Sequence, residues 1–133
     1  MLYKEKNELG VVGFSKAVVA RIAAEAANSY PGKVFLSNSK GKIPARTKPA
    51  VTGQINCIGV ELSEAGLEIK VYIIVRFGTS IAMVCHGIID AIQKQVPEMT
   101  GLVPESIVVY VTGVSVGKRI VKRNLEVRSG AAQ

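Results

Sequence analysis

The sequence predicts an α+β fold, a two-layer sandwich of a three- to four-stranded mixed sheet with two helices on one face. Three observations predict it. Every odd position from Leu67 to Phe77 is apolar, which is the period of a strand with one core face. After Gly78-Thr79-Ser80 the period changes: Ile81, Val84, Cys85, Ile88, Ile92, Val96 and Met99 recur at helical spacing, within an arc of about 120°. The patterned segments then follow the order helix, hairpin, helix, strand. Such a sheet, with both helices on one side, buries every stripe at once.

Ser15 suits a helix N-cap, and the first helix is expected from Lys16 to Asn28. One face carries Val18, Val19, Ile22 and Ala26. The other carries Ala17, Ala20, Ala24 and Ala27, a smooth surface suited either to helix propensity alone or to packing against a partner or another copy of the chain. Tyr30-Pro31-Gly32 ends the helix. Residues 33–36 fit a short strand or a buried turn. Residues 37–53 are polar, basic and broken by Pro44 and Pro49, and read as a long loop.

A strand is expected over 54–62, with Ile58, Val60 and Leu62 on one face. Ser63-Glu64-Ala65-Gly66 is a hairpin-sized link to the strand at 67–77. The second helix runs from about Ser80 to Glu98, with Pro97 in its last turn, where the lost hydrogen bond is expected to shorten or kink the end, and Gly101 as its C-terminal stop. The last clear strand is 106–113, with Ile107, Val109 and Val111 inward. Beyond Gly117, Ile120, Val121 and Leu125 fit either a helix or an extra strand. The sheet face away from the helices should show Tyr72, Ile74, Val108 and Tyr110, an aromatic–aliphatic patch suited to docking.

The 133 residues are expected to form one domain, 48% hydrophobic and 20% charged, which excludes a disordered chain. No stretch of 18 apolar residues is present, and Met1-Leu2-Tyr3-Lys4-Glu5-Lys6 lacks a signal-peptide core, so a cytoplasmic location is expected. Two cysteines and one histidine without close spacing predict no metal site, no disulfide and no cofactor. Gly10 and Gly13 do not form a phosphate-binding loop.

The net charge of +7 is unevenly placed. A basic loop at 31–53 holds Lys33, Lys40, Lys42, Arg46 and Lys48. A basic tail at 115–133 holds Lys118, Arg119, Lys122, Arg123 and Arg128, against Glu126. Such clusters contact nucleic acid or an anionic membrane surface, or are solvated charge. Lys40, Lys42, Arg46, Lys48, Lys118, Arg119, Lys122 and Arg123 are the expected basic contacts.

Val71–Ile81 resembles the hydrophobic strand, Gly turn and Ser-Ile helix start of the alkaline shock protein family. Glu98-Met99-Thr100-Gly101-Leu102 resembles its helix exit, Ile107–Val114 its terminal strand, and Ser15–Ala27 its first helix. The resemblance implies a Gram-positive-type bacterial protein tied to cell-envelope and alkaline stress, acting without enzymatic activity through protein partners near the membrane, and able to form homo-oligomers. It carries over no site residue. The loop at 31–53 and the tail at 115–128 look unlike the family.

The alternative is a small RNA-binding module of KH-like topology, since the charge suits phosphate contacts. It lacks a GxxG between helices, and Tyr72 and Tyr110 do not make an RRM aromatic motif. Enzyme candidates would be His86, Cys85, Cys57, Glu61 and Glu68. Cys85 and His86 are adjacent on a helix and point about 100° apart, which disfavours a nucleophile–base pair. No enzymatic activity is expected.

Overall fold

The computed structural model describes residues 16–38, 57–64 and 66–129. In chain order these form α1 (Lys16–Ala27), β1 (Val34–Leu36), β2 (Ile58–Ser63), β3 (Gly66–Arg76), α2 (Ile81–Thr100), β4 (Pro104–Val116) and β5 (Arg119–Arg128). The architecture is α+β with a five-stranded mixed sheet.

β3 is the centre of the sheet. Along one edge it pairs antiparallel with β2 over its first half and with β1 over its second, from Ile73 to Val75. Along the other it pairs parallel with β4, and β4 pairs antiparallel with β5. The parallel pair requires a crossover, and α2 supplies it. Val71, Ile73, Val75, Val109 and Val111 face the helices and are buried with Ile88, Ile92 and Val96 of α2 and Val19, Ile22 and Ala23 of α1. At roughly 1.5–3 kcal/mol for each large apolar side chain, this cluster is the main source of stability.

Helix α2 keeps the ends that its sequence suggested. The Ser80 hydroxyl accepts a hydrogen bond from the Met83 N–H at 3.2 Å. Gly101 is left-handed at φ 78°, and its N–H donates to the Pro97 carbonyl. Pro97 therefore sits inside a helix that closes normally one turn later. Thr100 supports the exit, donating to the Val96 carbonyl and accepting from the Leu102 N–H.

Several expectations change. Phe77 and Met99, placed on the inward stripes by period alone, are exposed, because β3 ends at Arg76 and Met99 lies in the last turn of α2, beyond the sheet's cover. Val18 is also partly exposed, whereas Ile89 joins the core. The alanine face is not free for a partner: Ala20, Ala24 and Ala27 are buried in the core as α1 packs on α2, and only Ala17 stays exposed. Residues 33–36 resolve as a strand. The tail beyond Gly117 is ordered as β5, held at its end by Ser129, whose N–H donates to the Ile107 carbonyl and whose hydroxyl accepts from the Ile107 N–H. The Ser15 cap, residues 54–56 of the expected strand and most of the basic loop lie outside the described residues.

Candidate functional site

Two regions present chemistry at the surface. The first is the sheet face away from the helices. Tyr72 and Tyr110 are register partners on β3 and β4, so their side chains emerge side by side. Their rings stack at 5.0 Å between centroids with 15° between planes, and both keep partial exposure. Ile74 and Val108, expected beside them on an open surface, have no exposed area. The patch is therefore an aromatic pair set between buried aliphatics, not a four-residue apolar plain.

Beside the tyrosines, Ser37 is fully buried and its hydroxyl meets that of Thr112 at 2.7 Å. Thr112 is the bulged residue of β4, skipped in the register with both β3 and β5, and it also donates to the Ile73 carbonyl. Ser37 N–H donates to the Tyr72 carbonyl, and Tyr72 N–H to the Cys57 carbonyl. Ser37 and Cys57 thus both hydrogen-bond to the backbone of Tyr72.

The second region is the end where β3 and β4 finish and α2 begins. Val75, Phe77, Ile81, Val114, Val116 and Val121 line a cleft of about 400 Å³, together with Arg76 and Arg123. In sheets with parallel strands, ligands commonly gather beyond the carboxyl ends of the strands. Lys118, Arg119, Lys122 and Arg123 all lie at this end, on β5 or its turn, and all are exposed. Sequence pattern alone could not bring Phe77, Val116 and Val121 together. The signal for their grouping is the parallel β3–α2–β4 crossover followed by the Gly117-Lys118 hairpin.

The enzyme candidates are not brought together. Cys85 is buried while the neighbouring His86 is exposed. Glu61 and Glu68 are directly opposed across β2 and β3, at the other end of the sheet from the first turns of α2. Among the described residues there is no group of three or more His, Cys, Asp or Glu able to hold a metal. Burial pushes the Cys57 and Cys85 thiols up to about 11. The folded state holds these protons more tightly than the unfolded one, so their contribution to stability is complete below the ordinary thiol pKa of 9.0 and is lost as pH rises towards 11. The melting temperature should fall across that window, and Cys57→Ala/Cys85→Ala should flatten the fall; an unchanged slope in thermal melts would refute the assignment.

Comparison with known proteins settles the lineage. The alkaline shock protein family, described by its cell envelope-related function, matches residues 4–116. The chain belongs to that family. It is the family to which the motifs at 71–81 and 98–102 point. A relative from Bacillus subtilis (strain 168), bearing the name "Uncharacterized protein YloU", is 30% identical over 113 residues, covering 84% of this chain and 93% of its own length. No solved structure matches the chain. The family match ends at Val116, so β5 and its cations lie beyond it. No helix among the described residues is long and apolar enough to cross a membrane.

Proposed function

We propose that this cell-envelope protein is a non-enzymatic adaptor, cytoplasmic and peripheral to the membrane, that works by holding protein partners. The carrying observation is the stacked, partly exposed Tyr72–Tyr110 pair on the sheet face opposite the helices. Two rigid rings fixed by strand register offer a large contact area at low entropic cost, as aromatic anchors do at protein interfaces. Ile74 and Val108 flank the pair on the same sheet face and are buried. The separation of His86, Cys85 and the opposed glutamates supports the absence of catalysis.

The test is affinity capture under alkaline or wall stress with wild type and Tyr72→Ser/Tyr110→Ser. Wild type should retain a defined set of membrane-associated proteins that the variant loses about tenfold or more, with melting temperature little changed because both rings are partly exposed. Equal capture by both proteins refutes the tyrosine site. Solution mass, measured in parallel, reports whether this face instead joins two copies.

A second reading, an RNA-binding module, is supported by Lys118, Arg119, Lys122 and Arg123. It requires micromolar RNA affinity that falls steeply with salt.

A further inference from the structure

Cations collect at one end of the described chain, while α1, the middle of β3 and the rest of α2 carry both signs in Lys16, Arg21, Glu25, Lys70, Asp90 and Lys94. Segments 30–38, 76–89 and 113–123 meet where β3 and β4 finish. They contain Lys33, Arg76, Lys118, Arg119, Lys122 and Arg123 and no acid. Glu61, Glu64, Glu68, Glu98 and Glu105 lie at the opposite end, where β3 and β4 begin and α2 finishes. The ion pair between Arg128 and Glu126, at 2.9 Å, lies at the C-terminal end of β5, away from the hairpin, and the guanidinium groups of Arg76 and Arg123 make no ion pair among the described residues.

The cationic end also carries uncovered apolar surface, as the other end does at Met99 and Val103. Phe77 is 72% exposed, Val121 46% and Val116 43%. These three line the 400 Å³ cleft with Val75, Ile81 and Val114, between Arg76 and Arg123. Ile120, on the other side of β5, is exposed as well.

From this geometry we infer that the end formed by Phe77, the β4–β5 hairpin and the start of α2 docks directly on anionic phospholipid membrane, with Phe77, Val116 and Val121 entering the headgroup layer and the surrounding Lys and Arg side chains meeting lipid phosphates. Charge complementarity names the occupant. A second copy paired along the open edge of β5 would bring together two strands that each carry Arg119, Lys122, Arg123 and Arg128 against Glu126 alone, which net like-charge repulsion opposes. Nucleic acid would use the cations but would gain nothing from a valine-walled cleft. A membrane surface uses both, because basic clusters draw protein to anionic lipid and exposed apolar side chains then insert. The acidic end faces away from such a surface, so the charge separation also sets orientation. The inference is independent of the adaptor reading, since the tyrosines lie on a different face.

The test uses the full chain and sedimentation with vesicles of phosphatidylcholine alone or mixed with phosphatidylglycerol. Binding should appear with the mixed vesicles, be near absent with phosphatidylcholine alone, and weaken as salt is raised. Arg119→Gln/Arg123→Gln should bind about thirtyfold more weakly, the loss expected for two cations near the surface. Phe77→Ser/Val121→Ser should bind about tenfold more weakly with little change in melting temperature, since both side chains are exposed. No retention on mixed vesicles at low salt overturns the inference. So does undiminished binding by Phe77→Ser/Val121→Ser. Tighter binding of single-stranded RNA than of mixed vesicles, insensitive to that apolar pair, overturns it in favour of a nucleic-acid surface. None of these results alters what the tyrosine variant captures, so the two proposals fail separately.

Discussion

Val71→Asp, and separately Ile88→Asp, should leave no cooperatively folded protein. Both side chains are fully buried, Val71 at the middle of the central strand and Ile88 on the face of α2 that covers it. Val71 lies between Ile58 on one neighbour and Val109 on the other, so a carboxylate there meets apolar groups from three strands. An unpaired buried charge costs at least several kcal/mol, and a domain of this size has only about 5–15 kcal/mol to lose. The informative controls are Phe77→Asp and Met99→Asp. Both positions share the same sequence periods as Val71 and Ile88, yet they are 72% and 68% exposed. Those variants should melt within about 1 kcal/mol of wild type. Circular dichroism melts of the four proteins decide the matter: a folded Val71→Asp protein, or an unfolded Phe77→Asp one, would mean the core has been misassigned.

That contrast marks what the residue pattern could and could not report. Alternation in β3 and the stripe of α2 were legible because one face of each is buried along almost its whole length. Hydrophobic period says which side of an element faces inward, but not where the neighbouring element stops covering it. Phe77 and Met99 lie just past that limit. The alanine face shows the reverse case. Small side chains carried no sign of which surface they met, and Ala20, Ala24 and Ala27 are buried where α1 packs on α2 and the sheet. β5 was ambiguous for a third reason. It is an edge strand almost entirely exposed, so Ile120, Val121 and Leu125 alternate with nothing.

The candidate surfaces were legible to different degrees. Tyr72 and Tyr110 could be assigned to one face from strand period, and the register then stacked them. The burial of Ile74 could not be read the same way, since strand period reports a side chain's face and not what covers that face. The cations of 118–123 stood out in the sequence. Their assembly with Arg76, Lys33 and the exposed Phe77 required the parallel crossover, which is long-range and has no local signature.

The glycine at 113 is where β3, β4 and β5 approach one another closely, and Gly113→Val should be strongly damaging although it removes no core side chain. Glycine inside a strand ordinarily weakens it, through lost side-chain packing and greater chain freedom. Here the chain follows the Thr112 bulge, and a Cβ on residue 113 would lie 2.9 Å from the Ile120 Cγ2 and 3.2 Å from the Val121 carbonyl oxygen. The Ile74 side chain is 3.5 Å away. Ile120 can turn aside, but the Val121 carbonyl is backbone and moves only if β5 moves. A branched side chain should therefore cost about 2–4 kcal/mol, and Gly113→Ala about 1–2 kcal/mol. The loss should begin in the hairpin: amide hydrogen exchange should speed up first across 119–128, while β3 and α2 keep their protection until global unfolding. Because the hairpin carries Arg119, Val121 and Arg123, Gly113→Val should also weaken vesicle binding at temperatures where circular dichroism still reports a folded core. If exchange instead quickens uniformly, β5 is not a separable arm but part of the same cooperative unit as β3. The cationic end would then be as rigid as the core beneath it.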